Sequence, residues 1–164
     1  MSKVIVTGGC GFIGSHIVDQ LLVDGFDVTV IDNFSTGRPE NLAHQKHNKR
    51  LKIIEGDICN YDFVRQIFTD SKWVFHLAAL ADIVPSIQQP VNYHQSNVNG
   101  TLSVLEAARH VGVEKFVYAA SSTCYGIPDM TPTREDAPIR PMFPYALTKN
   151  IGEQYAMHWL QTYN

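Results

Sequence analysis

Short apolar runs rich in β-branched residues alternate along this chain with longer stretches whose apolar positions recur at helical spacing. Lys3–Thr7, Asp27–Ile31, Leu51–Glu55, Trp73–Leu77 and Lys115–Ala120 carry the first pattern and predict strands. Phe12–Asp24, a segment within Val91–His110 and the stretch from Pro144 onward carry the second and predict helices. In the first helix Ile13, Ile17, Leu21 and Leu22 share a face, and Gly25 stands where a left-handed residue would stop the turn. Pro144 suits a first helical position, with Leu147, Ile151 and Tyr155 following as an expected buried stripe. Strands alternating with helices predict an α/β fold, a parallel sheet covered on both faces in three α/β/α layers.

Ser121–Phe143 breaks the pattern. It holds Pro128, Pro132, Pro138 and Pro141 with few periodic apolar residues and reads as a long ordered loop of functional use. Three strands precede the middle of the chain and two follow it, whereas a doubly wound, Rossmann-type sheet is built from two three-stranded halves. The sheet is therefore expected to stop before its sixth strand. Its edge at Lys115–Ala120 would then be open and apolar on both faces, with the last helix ending at Asn164.

Composition narrows the function classes. The chain has 164 residues, 45% hydrophobic and 18% charged, which suits one domain with a real core. A net charge of −3 offers no basic face for nucleic acid or an anionic membrane. The cluster His44, Lys46, His47, Lys49 and Arg50 reads as a solvated loop. Cys10, Cys59 and Cys124 form no CxxC pair, so no disulfide framework and no metal site are expected, and a cytoplasmic setting fits. Val4–Val6 is too short for a signal sequence, and no stretch approaches the ~20 apolar residues of a membrane span.

The chemistry sits where strands end. Thr7-Gly8-Gly9-Cys10-Gly11-Phe12-Ile13-Gly14 leaves a strand and opens a helix; its glycines allow a tight turn and close approach of a pyrophosphate to free helix N–H groups. The spacing is G-x-x-G-x-x-G. Asp32, at the end of the second strand, can accept from ribose hydroxyls and would repel a 2′-phosphate, favouring NAD; Arg38 in the next loop keeps NADP open. Asp57-Ile58 and Leu77-Ala78-Ala79 follow the third and fourth strands, where an acid can meet an adenine amino group and small residues admit a cofactor. Ser121, Ser122 and Thr123 end the fifth strand. Tyr145 and Lys149 lie four apart on a helix: a phenol of pKa about 10 needs a nearby cation to act as a base, and a hydroxyl can hold the oxygen it deprotonates. His76 reads as a packed core imidazole, and Cys124 lacks the base that thiol catalysis requires.

These motifs in this order resemble the extended short-chain dehydrogenase/reductase family: Thr7-Gly8-x-x-Gly11-x-x-Gly14, Asp32-Asn33, Gly56-Asp57-Ile58, His76-Leu77-Ala78-Ala79, Asn97-x-x-Gly100-Thr101, Ser121-Ser122, Tyr125-Gly126 and Tyr145-x-x-x-Lys149. Within it the chain looks most like the UDP-hexose 4-epimerases, through Asp32-Asn33-Phe34, Val84-Pro85-Ser86 and Ser96 to Thr101. The resemblance implies NAD-dependent epimerisation at C4 of a nucleotide-linked hexose through a 4-keto intermediate. Tyr145 would be base and acid, Lys149 its partner and Ser121 the orienting hydroxyl, with Ser122 and Thr123 near enough to share that role. The implied cofactor set is Gly8, Gly11, Phe12, Ile13, Gly14, Asp32, Asn33, Ser35, Thr36, Gly37, Asp57, Ile58, Leu77, Ala78, Ala79, Ala81, Ser96, Tyr145 and Lys149. Relatives run to roughly twice this length, so residues 1–164 are expected to be an NAD-binding fragment without the C-terminal substrate part. A homodimer through Val91–His110 and Pro144–Tyr163 is also implied. Two alternatives stay open: a nucleotide-sugar 4,6-dehydratase or other nucleotide-sugar oxidoreductase, and a non-catalytic dinucleotide-binding sensor or assembly module. A nucleotide-sugar 4,6-dehydratase would carry Asp-Glu where Ser122-Thr123 stand, and a non-catalytic dinucleotide sensor would have no use for a reactive phenol.

Overall fold

Val4, Ile5 and Val6 are all fully buried, although side chains alternate along a strand, because β1 (Lys3–Thr7) lies mid-sheet with helices on both faces. The computed structural model describes residues 2–163; Met1 and Asn164, the residue at which the sequence reading ends the last helix, lie outside the described residues. The other strands are β2 (Asp27–Asp32), β3 (Leu51–Glu55), β4 (Ser71–His76) and β5 (Lys115–Tyr118). They pair in parallel in the order β3-β2-β1-β4-β5, so the chain reverses direction across the sheet between β1 and β4. Thr7 pairs with Ile31 and His76, Asp32 with Glu55, and His76 with Tyr118, which brings the carboxyl ends of all five strands to one edge.

The alternation divides the core. Val4, Val6, Val28 and Val30 face Val18, Leu21 and Leu22 of α1 (Phe12–Val23) on one side. Ile5, Ile31 and Val74 face Val64 of α2 (Tyr61–Ile67), Phe68, and Val104 and Ala107 of α5 (Gly100–Val111) on the other. Gly25, at φ +90°, follows α1 in the left-handed conformation that ends a helix.

The second half is more helical than its pattern suggests. After β4 come α3 (Ile83–Gln88) and α4 (Pro90–His94), then a π-helical turn at Gln95–Asn99 that passes directly into α5. A 3-10 turn at Pro39–Gln45 occupies part of the segment before β3, and another at Ser122–Tyr125 follows β5. The proline-rich stretch then runs without regular structure to α6 (Pro144–Tyr163). No helix of the described residues is long and apolar enough to cross a membrane.

The face expected on α1 holds for Ile17, Leu21 and Leu22, which pack on the core with Gly14, Ser15 and Val18, but Ile13 is 61% exposed. The face expected on α6 is wrong. On α6 the buried positions are Ala146, Thr148, Lys149 and Gly152, while Leu147 is 47% exposed and Ile151 and Tyr155 are half-buried. The inner face of α6 carries small and polar residues because it packs closely on α3, α4 and the π-helical turn, where Thr148 meets Asn97, while Gly152 meets Tyr118, so counting apolar residues selects the outer face. The β5 edge is also less apolar than expected. Phe116 and Tyr118 turn inward, while Val117 shares its exposed face with Lys115, whose ammonium lies 4.7 Å from the centre of the Trp73 ring.

Candidate active site

The glycine loop has no spare room. The Gly8 N–H donates to the Ile31 carbonyl at 2.8 Å, and its φ of +69° suits a residue without a Cβ. A Cβ there would lie 2.7 Å from the Ala78 backbone nitrogen, and one on Gly14 would run into the Gly8 carbonyl and sit 2.8 Å from the Gly9 Cα. The loop is thereby pressed between the start of α1 and the end of β4. Phe12 and Ile13 open α1, so their backbone N–H groups precede the first intrahelical bond, donated by Ser15 to the Gly11 carbonyl. The arrangement suits a pyrophosphate.

Asp32 ends β2 almost completely buried. Its two oxygens accept from the Cys10 and Phe34 N–H groups, each at 2.9 Å, so the acid ties the glycine loop to the next turn and keeps lone pairs for a ligand. Gly37 packs against it; a Cβ there would sit 2.7 Å from the carboxylate. Along the strand ends runs one cleft, lined by Gly8, Gly11, Asp32, Asn33, Ser35, Thr36 and Gly37 on the β2 side. Asp57 and Ile58 line it after β3, Leu77, Ala78 and Ala79 after β4, and Ser96 from the π-helical turn. Ile31 and Gly56 also line it, two residues outside the cofactor set expected from sequence. Phe12, Ile13, Gly14, Ala81, Tyr145 and Lys149 do not line this cleft. The adjoining Cys59 thiol, donating to the Gln95 carbonyl at 3.2 Å, is pushed up to about 12 by burial and Asp57.

The remaining candidates gather between β5 and α6. Ser121 caps the 3-10 turn after β5, its hydroxyl accepting from the Thr123 N–H at 3.3 Å and sharing a 2.8 Å hydrogen bond with the Thr123 hydroxyl. Ser122 is exposed. Tyr145 is the second residue of α6, and Lys149 follows one turn later, buried, with its ammonium 4.2 Å from the centre of the Tyr118 ring. Burial lowers the Lys149 pKa to about 8, against weaker opposing effects of Cys124 and Glu153. Among the described residues no carboxylate forms a salt bridge with it.

Tyr145 and Lys149 are positioned by a buried polar chain that the sequence reading missed. Thr148 donates to the Tyr145 carbonyl at 2.8 Å and accepts from the Asn97 amide at 3.0 Å. Asn97, in the π-helical turn, also bonds the Leu80 N–H and carbonyl at 2.8 and 3.0 Å, so one side chain joins the β4 loop, the long helix and α6. The Asn97 carbonyl accepts from the Thr101 hydroxyl at 2.6 Å, which obliges Thr101 to accept from His76 Nε2 at 2.9 Å and leaves His76 Nδ1 to accept from Thr7 at 2.6 Å. Burial, with Lys149 adding to it, lowers the His76 pKa to about 3 and keeps the ring neutral. Tyr93 completes the frame: its ring meets Tyr145 edge-on at 6.4 Å, and its hydroxyl donates to the Ala81 carbonyl. The available signal was polar residues in otherwise buried runs, Asn97 and Thr101 above all. Among the described residues no group of three or more His, Cys, Asp or Glu could hold a metal ion.

The chain spans about half the length of the curated relatives it matches. It is 38% identical over 164 residues to the UDP-glucose 4-epimerase of Mycolicibacterium smegmatis, covering 99% of this chain and 52% of that one. A UDP-N-acetylglucosamine 4-epimerase from Methanobrevibacter ruminantium, solved with UDP-N-acetylmuramic acid, superposes with a TM-score of 0.93 at 40% identity, over 99% of this chain and 51% of that one. A dTDP-glucose 4,6-dehydratase from Streptomyces venezuelae, solved with NAD and TYD bound, gives 0.93 at 32% identity, over 98% and 52%. The profile of the family described as GDP-mannose 4,6 dehydratase matches residues 5–164. With the glycine loop, Asp32 and the Tyr145–Lys149 pair in their structural places, this chain belongs to that family, a branch of the extended short-chain dehydrogenases/reductases.

Proposed function

We propose that residues 1–164 form the NAD-binding unit of a nucleotide-sugar 4-epimerase, which interconverts UDP-hexoses at C4 through a 4-keto intermediate. The observation that carries this reading is the buried Lys149 ammonium, free of any carboxylate salt bridge among the described residues, one turn beyond Tyr145 on a helix tied to the π-helical turn by Asn97 and to β5 by Tyr118. Desolvating a cation costs several kcal/mol without a partner, and a structural lysine has no reason to bear that. NAD, when bound, supplies the hydride acceptor and donor. The glycine loop and the start of α1 hold its pyrophosphate, Asp32 its adenosine ribose, and Asp57 with Ile58 its adenine.

Tyr145 removes the proton of the C4 hydroxyl and later returns one to the keto oxygen. Ser121 orients that oxygen, with Thr123 hydrogen-bonded to its hydroxyl. Lys149 donates to the nicotinamide ribose and sets a positive charge beside the phenol. The Streptomyces dehydratase of the same fold keeps a second reading, C4 oxidation followed by loss of water. That reaction needs an acid and a base after the orienting hydroxyl, and Ser122 and Thr123 provide neither.

The same reading places the protein in the cytoplasm, which its three free cysteines suit. It also sets a homodimer contact on the outer faces of α4 and α6, where Val91 is 73% and Leu147 47% exposed. The test of function is interconversion of UDP-glucose with UDP-galactose, and of their N-acetyl forms, by the protein that carries residues 1–164, with Tyr145→Phe as control. A 4-keto-6-deoxy product would establish the dehydratase instead, and NAD binding without turnover of any nucleotide sugar would leave a sensor. For residues 1–164 alone we expect NAD binding with little or no turnover; robust epimerisation by that chain would overturn the division of labour.

A further inference from the structure

Lys149 is held by more than its own helix. Its ammonium lies 4.2 Å from the centre of the Tyr118 ring, within the range of a cation–π contact. The Tyr118 hydroxyl donates to the Lys149 main-chain carbonyl at 3.1 Å. That approach needs Gly152, since a Cβ there would collide with the Tyr118 hydroxyl. Tyr118 also packs against the neutral His76 ring at 5.7 Å, so it is held between β4 and α6.

We propose that Tyr118 is a positioning residue for the lysine: its ring is the platform on which the Lys149 ammonium rests, and its hydroxyl fixes the turn of α6 that aims that ammonium toward the cofactor. The proposal rests on the reading of Lys149 as the partner of Tyr145. The groups around the ammonium leave the ring as its principal favourable contact. Cys124 lies on the 3-10 turn and is itself pushed up by burial; Glu153 is on the next turn of α6 and exposed; His76 is neutral. A ring face attracts a cation without offering a proton acceptor, so the ammonium's donors stay available for a ribose hydroxyl. A carboxylate in the same place would occupy them.

The experiment is an NMR titration of lysine Cε–Hε signals in the full chain, with NAD+ affinity measured beside it. In the unmodified chain the Lys149 Hε protons should lie upfield of those of other lysines, shifted by the ring beneath them. Tyr118→Phe should keep that shift and the titration midpoint, yet bind NAD+ several-fold more weakly, because the bond to the Lys149 carbonyl is gone. Tyr118→Leu should lose the shift and lower the midpoint by about one unit. Where the leucine variant fails to fold, 3,4,5-trifluorophenylalanine at position 118 keeps the ring's shape and weakens the negative potential of its face, and the midpoint should fall by an intermediate amount. An unchanged midpoint with the fluorinated ring overturns the platform, and unchanged NAD+ affinity in Tyr118→Phe overturns the role of the hydroxyl. Failure to interconvert sugars would sink the epimerase reading while leaving the lysine titration standing.

Discussion

At Lys149 function and stability pull in opposite directions. Below pH about 8 the native chain carries on a buried ammonium a proton that the unfolded chain carries in water, and the lowered pKa converts to a cost on the order of 3 kcal/mol. The cost is present in full below the native pKa of about 8 and fades as pH climbs toward the ordinary lysine value of 10.5, since the native lysine sheds its proton first. Lys149→Met should therefore abolish turnover and yet raise the thermal midpoint at pH 7 by roughly 6–12 °C, with a much smaller rise at pH 10. A variant that is less stable at pH 7 would mean that the ammonium is repaid by the ring and its neighbours. His76 tilts the same balance at acid pH. Its native pKa of about 3 lies below the ordinary histidine value of 6.5, so the stability due to the neutral ring is complete above pH 6.5 and is lost as pH falls toward 3. In His76→Gln, whatever its stability at neutral pH, the loss between pH 6.5 and 3 should be shallower, as read by urea unfolding at several pH values.

Among the elements, the strands and the first helix were legible because burial on both faces leaves continuous β-branched runs, as in Val4–Val6 and Val28–Ile31. The glycine loop was legible for a related reason: backbone meeting backbone at Gly8 and Gly14 can be met only by residues without a Cβ. The inward face of α6 was not, since an amphipathic count assumes that helices bury their apolar residues, and this one buries Ala146, Thr148, Lys149 and Gly152. Nor was the π-helical turn at Gln95–Asn99, because one extra residue per turn leaves no periodic mark over five positions. Its purpose is visible in Asn97, whose amide is used in full by Leu80 and Thr148. Asn97→Ala should leave the buried ends of those bonds without partners, at about 2–3 kcal/mol, and should loosen Tyr145 along with α6. A conservative Asn97→Asp keeps the acceptor for the Leu80 N–H and should lose less activity than the alanine variant. The outer face of α6 makes a separate claim. Leu147→Glu should shift the protein toward monomer in sedimentation equilibrium while leaving NAD binding intact, and an unchanged oligomeric state would remove α6 from the contact.

For the molecule as a whole, the cleft is what joins the two halves of the sheet. Its walls come from the ends of β1, β2 and β3 on one side and from the β4 loop and the π-helical turn on the other. A ligand that fills it therefore bridges elements far apart in sequence and should stabilise the fold as one unit. At a free concentration of 100 times the dissociation constant, linkage predicts about 2.7 kcal/mol, or a rise in thermal midpoint of roughly 5–10 °C for a domain of this size. NAD+ should give that rise. NADP+ at the same concentration should give much less, because its 2′-phosphate would face the Asp32 carboxylate, fixed in place by the Cys10 and Phe34 N–H groups and packed against Gly37. Asp32→Ser removes the charge and should narrow the gap between the two cofactors, at some cost to the glycine loop that Asp32 also anchors. Equal shifts from NAD+ and NADP+ in the unmodified chain would mean that Asp32 serves the loop alone. The specificity expected from the carboxylate would then have to be sought beside it on the β2 side of the cleft, around Arg38, which follows Gly37.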